Sequence, residues 1–274
     1  MAIGTSAGTS GSQGREATRI GAVEQLQTGS KPAPDTYAFW TFYFLLTIAL
    51  VGGVFCYLIT FACKALALLF PPLSHVGDRA LRVGIGFLMA IQPWLHATVD
   101  LRVTFKNCLM VSNHRSTLDV FLLLASVSGI QLVAKRTLYR IPFLGLAMRV
   151  MKNIPIGEGG EDYRKAMEVV RDRLRSGERV HVFPEMTRCD PGFQGVRRFR
   201  ATPFLVAFQE KIPVVPIAFA GTDRAWPKGS FGLSFRQPVR AQALSPLFPN
   251  DFASAKEMQD RAWHMIESFV LEHS

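Results

Sequence analysis

The chain has 274 residues, which is long enough for one large α/β domain with a proper core or for two small domains. Hydrophobic residues make up 49% of it and charged residues only 19%, against roughly 25% charged in a typical soluble domain, and this balance favours association with a membrane. The net charge of +10 predicts anionic partners, such as phospholipid head groups, acyl-carrier molecules or nucleic acid. The four cysteines form no CxxC pair, which argues against a metal site and indicates reduced thiols in a protein that faces the cytosol.

Residues 1–35 are rich in Gly, Ser, Thr and Ala and contain few large apolar side chains. Such a composition cannot offset the entropy lost on folding, and it predicts a disordered leader.

Residues 36–63 carry no charge, and this stretch is longer than the roughly 20 residues that span a bilayer. It predicts a membrane-anchoring helix. The alternative is a signal peptide, against which the long polar leader and the lack of a small-residue cleavage pattern both argue. The basic residues Lys64, Arg79 and Arg82 follow the stretch, so we expect the catalytic part to face the cytoplasm from the cytoplasmic membrane.

Residues 64–98 are also apolar, but Pro71, Pro72 and Pro93 interrupt them. They predict a helical segment that lies in the membrane interface or packs on the following domain. From residue 99 to residue 274, short β runs alternate with helical stretches, which predicts an α/β domain built on one sheet with flanking helices.

Seven short apolar runs in this domain predict strands: "LRVTF" (101–105), "CLMVS" (108–112), "IQLVA" (130–134), "NIPI" (153–156), "RVHVF" (179–183), "VVPIAF" (214–219) and "GLSFR" (232–236). Helices are predicted over 117–126, over 160–177 with Gly177 at the end, and over 254–273.

The stretch "VSNHRSTLDVF" places Asn113 and His114 on the connection between a predicted strand and a predicted helix. A histidine can take up a proton near neutral pH when a carboxylate holds its other ring nitrogen, and Asp119 is spaced to fold back onto His114. The alternative is an ordinary helix start capped by Ser112 or Asn113, with Asp119 on a solvated face.

A second cluster of polar residues follows the strand at "VHVFPEMTRC". Arg188 can hold a phosphate in a forked geometry, and Glu185 can bind a ligand hydroxyl or fix that arginine. An ordinary strand-end turn with a surface ion pair is the alternative. Farther on come the basic run "RRFR" (197–200) and Pro216, whose position in an apolar run predicts a strand end or an edge strand.

Together these blocks resemble the glycerolipid acyltransferases, the family of 1-acyl-glycerol-3-phosphate acyltransferases. "NHRSTLD" fits the family's Asn-His-x4-Asp block, "FPEMTR" its Phe-Pro-Glu-Gly-Thr-Arg block and "VPI" (215–217) its fourth block, while Lys135 matches the lead into the second block. The match covers about residues 99–222.

The resemblance implies a central mixed sheet flanked by helices and an enzyme that needs no cofactor or metal. His114 would deprotonate a lysophospholipid hydroxyl while Asp119 orients His114, and the oxygen would attack an acyl-CoA or acyl-carrier protein thioester directly. The acceptor implied is 1-acyl-glycerol-3-phosphate, which gives phosphatidate. The resemblance assigns the remaining site residues as substrate-binding (Lys135, Glu185, Thr187, Arg188) or supporting (Asn113, Pro184, Pro216).

Two departures from the family pattern leave the acceptor open. Gly157 and Glu158 stand where the second block usually ends in an arginine, and Met186 replaces a glycine in the third block. Another cation can supply the missing charge, with Lys152, Arg149 and Arg188 as the candidates. Alternatively, the acceptor is a phosphate-free lysolipid of the ornithine-lipid or aryl-polyene type.

Other function classes stay open as alternatives. A thioester hydrolase would use His114 and Asp119 to activate water, and a membrane scaffold would use neither residue. Ser116 as a nucleophile is disfavoured, because it stands in no GxSxG elbow. A nucleic-acid binder is disfavoured because the aromatic residues lie in apolar runs and not among the basic residues.

Overall fold

The computed structural model describes residues 96–273, apart from 142–143, 191, 231–233 and 235–236, together with scattered residues between 40 and 86. The leader predicted over 1–35 lies outside the described residues, and so does most of the membrane helix predicted over 36–63. The described positions within 36–63 are helical. No helix formed by the described residues is both long enough and apolar enough to cross a membrane.

The segment predicted over 64–98 contacts the following domain at two described positions. A guanidinium nitrogen of Arg82 donates to the carbonyl of Val127 at 2.8 Å, and Ile85 packs against the buried core. These contacts fit the packing alternative for this segment. The first described strand begins at His96, three residues before the domain boundary predicted at residue 99.

Seven strands of the described residues form one mixed sheet in the order β1-β7-β6-β2-β5-β3-β4, in which only β6 and β7 pair antiparallel. The strands are β1 His96–Asp100, β2 Cys108–Ser112, β3 Ile130–Lys135, β4 Ile154–Ile156, β5 Arg179–Val182, β6 Val214–Ala220 and β7 Pro238–Ala243.

Six α-helices follow in the described domain: α1 Thr117–Ser126, α2 Leu144–Val150, α3 Gly160–Arg175, α4 Thr202–Gln209, α5 Thr222–Ala225 and α6 Ala255–His273. Two 3₁₀ helices cover Arg136–Arg140 and Pro249–Asp251. The α/β fold with a central mixed sheet flanked by helices is therefore confirmed.

Both faces of the sheet are buried, which explains why its central strands are continuous apolar runs. In β2, Leu109 and Val111 join the core that contains α3, α4 and α6. Cys108 and Met110, which alternate with them along the strand, join the core that contains α1.

Five of the seven predicted strands coincide with β2 to β6, but the first prediction was wrong. Residues 101–105 form no regular strand, because the guanidinium of Arg179 takes the carbonyls of Phe105 at 2.6 Å and Val103 at 3.5 Å that a sheet ladder would use. The strand predicted over 232–236 lies almost wholly outside the described residues, and β7 begins after it.

The prediction that Pro216 marks a strand end or an edge strand was also wrong. Pro216 is buried in the middle of β6, between β2 and β7. Its carbonyl accepts from the backbone N–H of Leu244 at 2.8 Å, so its missing N–H lies on the β7 side, where β7 has already ended at Ala243. A proline is tolerated there because its missing N–H falls at the last position of the β6–β7 pairing, beside the end of β7.

Candidate active site

The carboxyl ends of the parallel strands β2, β5, β3 and β4 meet at one edge of the sheet. The turn after β2 carries Asn113 and His114, the turn after β5 carries Glu185, and β3 ends at Lys135. The topology therefore brings the predicted motif residues to a single edge, which is where open α/β sheets bind their ligands.

Asn113 fixes the start of the turn after β2. Its side-chain amide donates to the carbonyl of Phe219 at 2.8 Å, and its side-chain oxygen accepts from the backbone N–H of Phe219 at 2.9 Å. The amide thereby continues the pairing of β2 with β6 by one more residue, and the backbone that leads into His114 is held in place.

His114 and Asp119 form the predicted pair, with Nδ1 of His114 3.0 Å from Oδ2 of Asp119. The same carboxylate oxygen accepts from the backbone N–H groups of Arg115 and Ser116, both at 2.8 Å. Asp119 also forms a capping box with Ser116, the N-cap of α1. Asp119 therefore caps the start of the helix and orients the histidine at the same time. It is buried, and does not lie on a solvated face as the alternative expected.

The ring of His114 stacks on Phe183 with 3.8 Å between ring centroids, and its side chain is 17% exposed. Because Nδ1 of His114 donates a hydrogen bond to Asp119, the lone pair of the neutral ring lies on Nε2. No hydrogen bond from the described residues reaches Nε2, so that nitrogen can accept a proton from a ligand.

A second histidine lies behind this pair. His181 is fully buried, its Nε2 lies 2.9 Å from Oγ of Ser112, and its ring meets Phe183 edge-on. Burial lowers the pKa of His181 to about 3, with a smaller contribution from the neighbouring His114. His181 is therefore neutral and adds no charge beside the proposed base.

Glu185 holds the backbone of the site. It does not pair with Arg188, so the expectation that Glu185 fixes this arginine was wrong. It is buried, and its oxygens accept from the backbone N–H groups of His114 at 2.8 Å and Arg197 at 3.1 Å. The backbone N–H of Cys189 in turn donates to the carbonyl of His114 at 2.9 Å. Burial raises the pKa of Glu185 to about 7. With both oxygens engaged in the protein, Glu185 does not offer a free carboxylate to a ligand.

Arg188 and Thr187 lie close to the histidine turn without joining its network. Nη1 of Arg188 donates to Oγ1 of Thr117 at 2.9 Å, while the exposed Thr187 hydroxyl contacts only the carbonyl of Arg188, at 3.4 Å. Pro184 is buried, and its carbonyl accepts from the backbone N–H of Arg200 at 2.9 Å. That hydrogen bond brings Arg200 to the same edge of the sheet.

An open cavity of about 570 Å³ lies at this edge, and we call it the cationic cavity. Met186 lines it in a left-handed backbone conformation with φ of 62°, a strained state for a residue with a side chain. Gly157 and Glu158, which replace the family arginine, line it as well. Its basic lining residues are Lys135, Arg136, Arg140 and Arg200, and its acidic ones are Glu158 and Asp162.

None of the three cations predicted to supply the missing charge lines the cationic cavity. Lys152, Arg149 and Arg188 do not line the cationic cavity, whereas Arg136 and Arg200 do. A signal for both was present in the sequence, since Arg136 follows Lys135 directly and Arg200 ends the basic run "RRFR". Nothing in the sequence alone places that run beside Lys135.

Sequence reasoning also missed a partly buried ion pair that supports the histidine turn. Nε and Nη2 of Arg115 each donate to a carboxylate oxygen of Asp223 at 2.8 Å. Further bonds from Arg115 reach the carbonyls of Gly195 at 3.0 Å and Phe193 at 3.2 Å. The hydroxyl of Ser116 donates to the carbonyl of Trp226 at 2.7 Å in a buried position, so it is not presented as a nucleophile.

Comparison with known proteins finds similarity to acyltransferases. Residues 98–220 match the family model described as acyltransferase. The chain is 32% identical to a chloroplastic 1-acyl-sn-glycerol-3-phosphate acyltransferase of Brassica napus, over 52% of this chain and 41% of that protein. It is 32% identical to the 1-acyl-sn-glycerol-3-phosphate acyltransferase of Saccharomyces cerevisiae, over 55% of this chain and 50% of that protein. The chain thus spans about half the length, or less, of these curated relatives.

A solved structure shares the fold. The crystal structure of the 1-acyl-sn-glycerophosphate acyltransferase PlsC from Thermotoga maritima superposes with a TM-score of 0.65 at 22% sequence identity. The match covers 86% of this chain and 95% of that one.

Proposed function

We propose, from the match of residues 98–220 to the acyltransferase family model, that the protein acylates the free hydroxyl of 1-acyl-glycerol-3-phosphate to give phosphatidate. The acyl donor is a thioester, either acyl-CoA or acyl-carrier protein. The single observation that supports this most is the His114–Asp119 pair at 3.0 Å, whose outer nitrogen is unpaired among the described residues at the sheet edge that also carries the cationic cavity.

The reaction needs one base and no enzyme nucleophile. Nε2 of His114 takes the proton of the acceptor hydroxyl as that oxygen attacks the thioester carbonyl, and the buried carboxylate of Asp119 stabilises the imidazolium. The tetrahedral intermediate then collapses, the carbon–sulfur bond breaks, and His114 returns its proton to the departing thiolate. Proton removal by a placed base contributes about 10²–10⁴ to the rate. Positioning of the two substrates and stabilisation of the oxyanion supply the rest.

The acceptor phosphate binds in the cationic cavity. Lys135 and Arg140 line it and form no ion pair with any residue in the described part of the chain, whereas Arg136 is paired with Asp162 at 3.2 Å. Charge-assisted bonds from lysine and arginine to phosphate are among the stronger polar contacts in proteins. Met186 lines the cavity, and the residue before it, Glu185, accepts a hydrogen bond from the backbone N–H of His114. The phosphate site is therefore connected to the base through two adjacent residues.

A second acceptor class is favoured by one observation. Glu158 and Asp162 also line the cavity, and carboxylates there suit an acceptor with an ammonium or extra hydroxyl groups better than a phosphate. A phosphate-free lysolipid is therefore the alternative substrate for the same chemistry.

We also propose that the enzyme is held at the cytoplasmic membrane by residues 36–63, with the catalytic domain facing the cytoplasm. The uncharged stretch and the basic residues that follow it support this arrangement.

The acceptor is tested by incubating the purified full-length protein with an acyl thioester and a panel of lysolipids, with product identification by mass. We expect phosphatidate from 1-acyl-glycerol-3-phosphate and no product from the phosphate-free lysolipids. Acylation of a phosphate-free lysolipid alone would overturn the acceptor assignment. Thiol release without any acylated product would identify a hydrolase.

A further inference from the structure

A short segment beside the cationic cavity exposes three large aliphatic side chains. Leu138 is 36% exposed, Ile141 47% and Leu144 41%. They recur every third residue, from the 3₁₀ helix Arg136–Arg140 into α2, and we call them the 138–144 surface. Other exposed large apolar residues described from residue 96 onward stand singly on their elements, at Val99, Val169, Leu205, Phe248 and Leu271. Single exposed apolar residues are ordinary, whereas a cluster marks a contact surface.

The segment that carries this surface is rigidly built. A side chain at Gly145 would collide with the carbonyl of Tyr139, so α2 packs directly on the 3₁₀ helix. Arg149 lies over the ring of Tyr139 and donates to its carbonyl at 3.3 Å. The backbone N–H of Ile141 donates to the carbonyl of Leu138 at 3.2 Å. These contacts hold together the described residues that carry Leu138, Ile141 and Leu144.

The chain that forms the surface is rich in basic residues, although Asp162 of α3 pairs with Arg136 at 3.2 Å. Residues 120–157 contain no aspartate or glutamate, and their basic residues are Lys135, Arg136, Arg140, Arg149 and Lys152. Arg136 and Arg140 flank Leu138 and Ile141 along the chain and also line the cationic cavity. Apolar side chains edged by cations complement a bilayer that carries anionic head groups, where each basic residue near the surface strengthens binding about fivefold.

We propose that the 138–144 surface docks on an anionic phospholipid bilayer. Leu138, Ile141 and Leu144 insert at the boundary of head groups and acyl chains, and Arg136 and Arg140 contact lipid phosphates. The cationic cavity then opens at the lipid surface, and the acceptor enters it sideways from the bilayer. This entry route and the preference for a bilayer over a carrier protein rest on the proposed function, whereas the quenching test of docking does not. A bilayer fits better than an acidic carrier protein, because the surface adjoins the cavity assigned to the lipid acceptor.

Docking is tested by depth-dependent quenching in the full-length protein. Ile141→Trp adds a tryptophan on the surface, and Leu205→Trp adds one at a similarly exposed site on α4 as the matched control. With vesicles of brominated phosphatidylglycerol, the fluorescence added by Ile141→Trp should be quenched at least threefold more than that added by Leu205→Trp. Equal quenching of the two would overturn the proposal. If vesicles of brominated phosphatidylcholine quench Ile141→Trp as strongly as those of brominated phosphatidylglycerol, the proposed preference for anionic lipid is overturned. A fluorescence change of Ile141→Trp with acyl-carrier protein alone, without quenching by vesicles, would assign the surface to that partner instead.

The entry route is tested by kinetics with two forms of the acceptor. Two variants are compared: the single variant Ile141→Ser, and the triple variant that combines Leu138→Ser, Ile141→Ser and Leu144→Ser. Both should raise KM about tenfold for lysophosphatidate held in vesicles. They should leave kcat/KM unchanged for a short-chain lysophosphatidate that is monomeric in water, and Leu205→Ser should change neither. Equal losses with both acceptors, or no loss with vesicles, would overturn the route. If wild type acylates neither acceptor, the proposed function fails while the quenching result stands.

Discussion

The turn after β2 and the cationic cavity lie at the same edge of the sheet, but they are built in opposite ways. In the turn, Asn113, Arg115, Ser116 and Asp119 are at most 5% exposed and bonded to backbone on several elements. The cavity is lined by exposed long side chains, such as those of Lys135, Arg136 and Arg140. Proton transfer needs fixed geometry in a place shielded from water, whereas capture of an anion tolerates flexible charges. Changes in the turn should therefore affect catalysis or stability, and loss of a cavity charge mainly acceptor binding.

The largest effect is expected from His114→Ala. Loss of the base should lower kcat by about 10³-fold or more, because no other described group is placed to accept the hydroxyl proton. The free energy of unfolding should change little, since the ring is held only by Asp119 and Phe183. Steady-state kinetics and urea unfolding measure both, with the exposed His264→Ala on α6 as the matched control. Activity within tenfold of wild type would remove His114 from the mechanism.

Asp119→Asn tests whether one residue serves both catalysis and folding. We expect kcat to fall about 10²–10³-fold, because the imidazolium loses its charged partner. The free energy of unfolding should also fall by about 1 kcal/mol, because the capping box at Ser116 is weakened. An unchanged denaturation midpoint would contradict the second role, and an unchanged kcat the first.

Glu185→Gln should change how stability depends on pH. In the native state the pKa of Glu185 is raised to about 7 by burial, while the unfolded chain titrates near its ordinary value. Between these two pKa values the native state binds more protons than the unfolded chain. The contribution of Glu185 to the free energy of unfolding is therefore complete below about pH 4.5 and is lost as the pH rises through 7. The loss is up to about 3 kcal/mol, and the glutamine variant should lack it. Urea unfolding from pH 4.5 to 8 measures the difference, and parallel curves for the two proteins would contradict the burial argument.

Arg200→Ala should act on the cavity alone. Loss of one charge-assisted contact to phosphate should lower kcat/KM for the acceptor about 10- to 150-fold, with the KM for the thioester and the denaturation midpoint unchanged. The matched control is Arg198→Ala, which removes an exposed arginine that stacks on Trp263. Arg188→Ala is the sharper comparison, since Arg188 contacts Thr117 at the turn and does not line the cavity. A larger acceptor effect from Arg188 than from Arg200 would move the phosphate site towards α1.

The smallest effect is expected from Met186→Gly. Glycine adopts the left-handed conformation of residue 186 without strain, so the variant should be more stable by at most about 1 kcal/mol. Removal of the side chain should also widen the cationic cavity. Thermal unfolding measures the stability change, with Lys211→Gly, another residue of positive φ, as the control. A clear loss of stability would show that packing of Met186 against the core outweighs the strain.

Local patterns predicted the local structure well. Helix α1 occupies the predicted residues 117–126, because an apolar run follows a polar turn with a capping residue. The pairing of His114 with Asp119 was predicted for the same reason, since both residues belong to one turn and the helix that follows it.

Long-range partners could not be predicted in the same way. Asp223 is bound to Arg115, and Arg200 reaches the cavity through a backbone bond to Pro184. Both contacts depend on which strands are neighbours in the sheet, and residue spacing carries no information about that. Pro216 was misplaced for a related reason, because its tolerance in an inner strand depends on where β7 ends.

The central claim is that His114 moves the acyl group of a thioester to lysophosphatidate, and the ratio of phosphatidate formed to thiol released tests it most directly. We expect one phosphatidate per thiol with the wild-type protein, and neither product above background with His114→Ala. Thiol release without phosphatidate in the wild type, or phosphatidate at the wild-type rate from His114→Ala, would contradict the account.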